Sequence, residues 1–221
     1  MATGDSLIFQ RLSIFREPEF LKIREIIKSA DVAFNNFETI IHNNKGFPRY
    51  KRDPTAWMTS PSYVLDELKW MGFNLFSLAN NHSMDYSEDG LLENLKIFEN
   101  SGVAHAGTGR NLSEARAPAY LNTEKAMVGL IAINTGWDDG CASEAWGRVP
   151  SRPGLNPLRY TRTIYLEKTE FNQLVEIARE LDLPGPREGK LDLNGSISHL
   201  GLMFEIGDKV YIHTVPYKPD L

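Results

Sequence analysis

Cysteine is all but absent from this chain. Cys141 is the single one, so no intrachain disulfide can form and no thiolate metal site can be built. Long apolar runs are missing as well, and no stretch reaches the length that spans a bilayer. The opening Met-Ala-Thr-Gly-Asp does not read as a signal peptide, so the chain as written is expected in the cytoplasm. Nor is there an excess of positive charge: 24 Lys and Arg face 29 Asp and Glu, for a net charge of −5, and the two signs are interspersed. Without a basic stripe to neutralise a phosphate backbone, a nucleic-acid partner is not expected. Repeats and low-complexity tracts are absent.

Apolar residues make up 42% of the sequence and charged ones 24%, which fits one packed domain, or one domain plus an extension. Glu19 to Ser29 spaces Phe20, Leu21, Ile23, Ile26 and Ile27 as one helical face, and a strand core, Val32-Ala33-Phe34, follows within Asp31 to Phe37. Pro61 to Met71 reads as a helix with a first-turn proline and Gly72 just past its end. Asn74 to Ala79 suits a buried strand. Ser87 to Asn100 reads as a second amphipathic helix closed by Gly102. Ala126 to Asn134 is a nearly continuous apolar strand, of the sort found in sheets covered on both faces. Gly136 to Pro157 is long and irregular, as functional loops often are. Glu170 to Leu181 is helical again, Pro184-Gly185-Pro186 breaks the chain, and Leu202 to Ile206 with Val210 to Val215 predict a hairpin around Gly207-Asp208. This alternation gives an α/β class, a layered sandwich with helices flanking a central sheet.

Three short polar segments stand where strands meet loops: Gly4-Asp5, Asn35-Asn36-Phe37-Glu38 and Asn80-Asn81-His82. In an open α/β sheet the carboxyl ends of parallel strands share one edge, where ligands bind. Asp5, Glu38, Asn81 and His82 are therefore expected to converge. Oxygen and imidazole donors without thiolates suit Mg²⁺, Mn²⁺ or Zn²⁺, and His82 suits general acid–base work. Asp and Asn after strands also serve as turn formers and caps. One such segment alone favours that plainer role, whereas three at equivalent places favour chemistry.

The run Ser77-Leu78-Ala79-Asn80-Asn81-His82-Ser83-Met84-Asp85-Tyr86, then Ala106-Gly107-Thr108-Gly109 and Glu114-Ala115, resembles the CapA family of capsule and poly-γ-glutamate synthesis proteins. Gly4-Asp5 with Arg11, and Asn36-Phe37-Glu38, are similar to the family's two earlier motifs. Arg152-Pro153-Gly154 with Asn156-Pro157-Leu158-Arg159 resembles a loop of one branch. The likeness covers roughly Gly4 to Leu181. It implies a calcineurin-like metallophosphoesterase sandwich in which Asp5, Glu38 and Asn81 hold metal and His82 donates a proton to a leaving group. It also implies that relatives can be membrane-anchored or extracellular. Two departures stand out. The His expected two residues after the first Asp is Leu7, and no late His-x-His appears.

The other histidines read as structural: His42 in a solvated loop, His105 at a strand start, His199 before a strand and His213 within one. Cys141 reads as an inert thiol. Only Met1-Ala2-Thr3 precedes Gly4-Asp5, so a single domain over residues 1–221 is expected to lack its first strand and its C-terminal metal-binding half. A homo-oligomer or a second chain would then complete it. Trp137, Trp146, Arg148 and Arg152 either line a pocket for a small anionic or peptide-like substrate, together with Arg11 and Asn80, or pack and solvate the loop. Three functions stay open: a metal-dependent hydrolase of a phosphoester or amide, a metal-independent acid–base enzyme such as an epimerase, and a non-catalytic or incomplete subunit.

Overall fold

The computed structural model describes residues 1–50, 56–135, 140–158, 162–165, 168–180, 182, 187–193, 197–206 and 209–214. The chain divides into two compact units, Met1–Leu158 and Arg159–Leu221. In chain order the first unit holds β1 (Ala2–Ser6), α1 (Pro18–Lys28), β2 (Phe34–Phe37), α2 (Val64–Met71), β3 (Leu75–Ser77), α3 (Ser87–Ser101) and β4 (Ala104–Ala106). Then follow β5 (Thr108–Gly109), α4 (Leu112–Arg116), β6 (Ala119–Asn122), β7 (Met127–Leu130) and β8 (Gly154–Leu155). The second unit holds β9 (Arg162–Tyr165), α5 (Lys168–Glu180), β10 (Arg187–Leu193), β11 (Ile197–Ile206) and β12 (Lys209–Thr214).

The central sheet has the order β1-β2-β3-β4 and every pairing in it is parallel. When strand order follows sequence, right-handed crossovers carry successive helices to the same face. The main core has that composition. Ile27 of α1, Val64, Leu65, Leu68 and Met71 of α2, and Phe98 of α3 pack with Phe37 and Phe76 of the sheet. Phe98 meets Phe37 and Phe76 edge-on, with ring centroids 5.1 and 5.5 Å away, a geometry aromatic quadrupoles favour. On the other face Ala79, Ala106 and Ala132 pack with Ala119 and Leu130, which brings the antiparallel β6–β7 pair over the sheet beside β4.

The sequence pattern predicts an absent or very short first strand, yet β1 spans five residues and includes Gly4-Asp5 rather than ending before it. Its interior is polar. Ser6 Oγ donates to Asn35 Oδ1 at 2.6 Å, and Asn35 Nδ2 donates to Thr3 Oγ1 at 3.1 Å. Hydrogen bonds here take the place of the apolar packing by which strands are usually found. The register moves from Ala2 opposite Phe34 to Asp5 opposite Asn36, so β1 carries one more residue than β2 in that interval. Such a bulge re-aims the side chains beyond it. It sets Asp5, Asn36, Ser77 and Ala106 in one row across the sheet, on the face opposite Phe76.

Two other elements differ from expectation. α2 starts at Val64, three residues after Pro61, because Pro61–Tyr63 form a turn that hydrogen-bonds into it. The apolar stretch from Ala126 keeps only β7 as a strand. Val128, Leu130 and Ala132 turn inward while Met127, Ile131 and Ile133 stay exposed, so among the described residues one face is covered rather than two.

The segment between β1 and α1 is tied to α2 through one carboxylate. Glu67, only 6% exposed at its side chain, pairs with Arg11 at 3.2 Å. It also accepts from Leu12 N–H at 3.0 Å, Ser13 N–H at 2.6 Å and Ser13 Oγ at 3.0 Å. Burial alone would raise its pKa, but the Ser13, Arg11 and Leu12 donors outweigh burial and hold it below its ordinary value of 4.5. Ionised Glu67 therefore stabilises the fold above that value, and the contribution disappears as pH falls through the folded pKa. Glu67→Gln is expected to cost about 1.5–3 kcal/mol at neutral pH, read by urea unfolding. As pH falls through and below the ordinary carboxylate range the variant should lose less stability than the wild type; equal losses would remove Glu67 as the clamp.

In the second unit the sheet order is β10-β11-β12-β9, antiparallel except for the parallel β12–β9 pair, and α5 packs against β12. β11 and β12 pair from Ile206 opposite Lys209, while Gly207-Asp208 and Pro184-Gly185-Pro186 lie outside the described residues.

Candidate functional site

Each of three strand ends contributes a polar residue to one rim. Asp5 sits near the end of β1, Glu38 directly follows β2, and Asn80 to Asp85 form turns between β3 and α3. Asn36 joins the first two. Its Nδ2 donates to Asp5 Oδ1 at 2.7 Å, and its Oδ1 accepts from Asn80 Nδ2 at 3.3 Å. Asn80, buried, also donates to the Phe37 carbonyl at 2.9 Å, and its Oδ1 accepts from His82 N–H at 3.1 Å and Ser83 Oγ at 3.0 Å. Ser83 Oγ also lies within hydrogen-bond reach of the Leu78 carbonyl, and its single proton goes to one of these two acceptors at a time. This hydrogen-bonded chain fixes the turn that carries His82 against the β2 end.

The two carboxyl groups are hydrogen-bonded to each other. The Asn36 amide, then the bond with Glu38, lowers the pKa of Asp5 against a small opposing effect of burial. Burial raises that of Glu38, and its bond to Asp5 and the charge there raise it further, while His82 works the other way. The pair is thus one ionised group and one group that keeps its proton more readily, and they titrate as a unit. His82 lies close enough for its charge to act on Glu38. Its ring Nδ1 faces Asp85 Oδ2 at 2.8 Å, with side-chain exposures of 15% for His82 and 1% for Asp85.

Asp5, Glu38, His82 and Asn80 therefore come together, and Asn81 is exposed in the same turn. Arg11 goes elsewhere: it binds Glu67 on α2 and lies 4.3 Å over the Tyr63 ring. Arg152 pairs with Glu88 in the first turn of α3 at 3.2 Å. Trp137 lies outside the described residues. His42 is not simply solvated, for it stacks on Tyr86 with ring centroids 3.8 Å apart and faces the Lys45 carbonyl. His105 Nδ1 faces the Val103 carbonyl, and its ring meets Phe98. Asn36 and Asp85 are the two members that sequence reasoning did not assign. A carboxylate three residues after a histidine in a tight turn is the signal that points to Asp85.

As a metal site the donor set is hard. Two carboxylates with amide oxygens suit one Mg²⁺ or Mn²⁺ better than Zn²⁺, and a cation between them would favour the ionised form of Glu38 against the burial that raises its pKa. Among the described residues, no group of three or more His, Cys, Asp and Glu is gathered to hold an ion.

The family model described as "Bacterial capsule synthesis protein PGA_cap" matches residues 1–183. The chain belongs to this family. Among its relatives, the uncharacterised protein y4sH of Sinorhizobium fredii is 34% identical over 191 residues, covering 85% of this chain and 41% of that protein. The capsule biosynthesis protein CapA of Bacillus anthracis is 24% identical over 140 residues, 62% of this chain and 33% of its own length. A probable polyglutamine synthesis accessory protein of Mycobacterium tuberculosis is 27% identical over 130 residues, 58% and 32% respectively. The chain spans between 32% and 41% of the length of these relatives. For this PGA_cap member, no described helix is long and apolar enough to cross a membrane.

Proposed function

We infer that this PGA_cap chain carries the catalytic site of a capsule or polyglutamate synthesis protein and acts as a hydrolase of the metallophosphoesterase type on an anionic phosphoester or amide. The observation that carries the reading is the convergence of the bonded Asp5–Glu38 pair and His82 on the carboxyl edge of a parallel sheet. Ligands of such sheets sit at that edge. The names of the Bacillus anthracis and Mycobacterium tuberculosis relatives support the biological setting.

Asp5 and Glu38, with Asn81 from the exposed turn before His82, would hold one hard divalent cation; bound there, it would polarise a phosphoryl or carbonyl oxygen of the substrate. Asn36 and Asn80 keep the two carboxyl groups and the His82 turn in register. His82, when protonated, gives its proton to the leaving group. The opposite pKa directions of Asp5 and Glu38 favour a second reading, in which the same residues remove and return a proton on an amino-acid derivative without metal.

One experiment separates the two. Purified protein is assayed on phosphomonoesters, phosphodiesters and γ-glutamyl amides with Mn²⁺ or Mg²⁺ and with chelator, alongside deuterium uptake by glutamyl peptides in heavy water. Hydrolysis restored by metal is the expected result. Deuterium uptake that persists in chelator would favour the second reading, and silence in both arms would leave the chain non-catalytic.

A further inference from the structure

The turn Asn80–Tyr86 holds a second carboxylate that the proposed chemistry has not used. Asp85 is 1% exposed, and a buried carboxylate needs hydrogen-bond donors. Its Oδ2 receives two. Met58 N–H donates at 2.6 Å, and the Nδ1 of His82 lies at 2.8 Å. An ionised carboxylate accepts only, so the ring nitrogen facing it carries the hydrogen. The backbone of Asp85 is pinned too. Its N–H donates to the His82 carbonyl at 3.1 Å, and its carbonyl accepts from Arg49 N–H at 2.8 Å. Those bonds tie the backbone at Arg49 and Met58 to the turn that carries His82.

We propose that Asp85 is the positioning residue of the site: it holds His82 as the Nδ1–H tautomer, so that Nε2 is the nitrogen that exchanges a proton with a bound molecule. Which ring nitrogen is protonated is set by the bond the other one makes. A free imidazole samples both tautomers and rotates, whereas one hydrogen-bonded to a buried carboxylate is fixed in tautomer and ring plane. The tautomer rests on the geometry of the Asn80–Tyr86 turn alone; its catalytic use rests on the hydrolase reading above.

The ring nitrogens of the ¹⁵N-labelled chain decide the matter without substrate. In long-range proton–nitrogen spectra, the signals lost in His82→Gln identify His82 among the five histidines. The wild type is expected to show a protonated Nδ1 and a bare Nε2 in the neutral ring. In Asp85→Ala the ring should change to a mixture richer in Nε2–H, and the Met58 amide should exchange faster. A wild-type His82 in the Nε2–H form overturns the proposal even if the alanine variant fails to fold, and so does an unchanged ring in a folded Asp85→Ala. With an active substrate in hand, Asp85→Asn should lower kcat by about 100-fold or more and leave KM nearly unchanged. A chain that shows the Asp85-dependent tautomer but no turnover sinks the hydrolase reading alone. Turnover by a chain whose His82 is Nε2–H sinks the Asp85 assignment alone.

Discussion

Replacing His82 with glutamine is expected to lower kcat/KM by about 10²–10⁴-fold on any substrate the chain turns over, the range a positioned general acid or base contributes. Glutamine retains a polar head of similar reach but cannot exchange a proton near neutral pH, so the loss reports chemistry rather than space. The fold should survive, because the hydrogen bond from residue 82 to Asn80 Oδ1 is made by the backbone N–H. A variant that still unfolds cooperatively, with a melting temperature lowered only by the lost bond to Asp85, accompanies the loss if His82 works in this way. Glu38→Gln and Asp5→Asn should each cost activity, and the double variant should cost much less than the product of the two single losses. The two carboxyl groups are bonded to each other and shift in opposite directions, so removing one already dissolves the unit. Wild-type turnover by a folded His82→Gln would take the imidazole out of the reaction.

Much of the scaffold follows from spacing. α3 and α5 bury Phe98 and Phe171, because packing against a sheet demands an apolar stripe at 3.6 residues; on α1 only Ile27 of the expected face is buried, Phe20 and Leu21 are half-buried, and Ile23 and Ile26 stay exposed. Short buried strands such as β3 are equally legible, since Leu75-Phe76-Ser77 is buried throughout. β1 is not legible in that way. Ala-Thr-Gly-Asp-Ser pairs with β2 through backbone and side-chain hydrogen bonds, and no hydrophobic pattern reveals such a strand. Its bulge is invisible too, because register belongs to two segments at once.

The site divides along the same line. Asp5, Glu38 and His82 stand out in sequence because chemically capable residues at strand ends of a parallel sheet point to its edge. Asn36 and Asp85 act through partners contributed by other segments: Asn36 between Asp5 and Asn80, and Asp85 between His82 and Met58. Their residue types alone are those of ordinary turns. Arg11 illustrates the opposite error. An arginine suited to anions is drawn instead to Glu67, a buried carboxylate, and to the face of Tyr63, competitors a linear reading cannot rank.

Gly107 supplies the remaining large effect and joins scaffold to site. Its φ is +109°, where side chains are strained. A Cβ built there would stand 2.6 Å from Ala79 Cβ and 2.9 Å from both Ala132 Cβ and Ala79 N. Those neighbours form the small alanine core under the β6–β7 pair, and Ala79 immediately precedes Asn80. Gly107 also holds the chain in place through its carbonyl, which accepts from Asn156 N–H at 2.9 Å. Gly107→Ala is expected to cost about 1–3 kcal/mol for overpacking and about 1–3 kcal/mol more for a side chain in a rare backbone region. Gly102→Ala provides the control. That glycine also has a positive φ, +71°, but nothing lies within 4 Å of its would-be Cβ, so only the backbone cost applies. Urea unfolding of the two variants should place Gly107→Ala well below Gly102→Ala. Because the displaced neighbour is Ala79, the His82 ring signals should shift in Gly107→Ala alone. Equal stabilities for the two variants, with the His82 spectrum unmoved in both, would show that the β4–β5 connection does not brace the turn that carries His82.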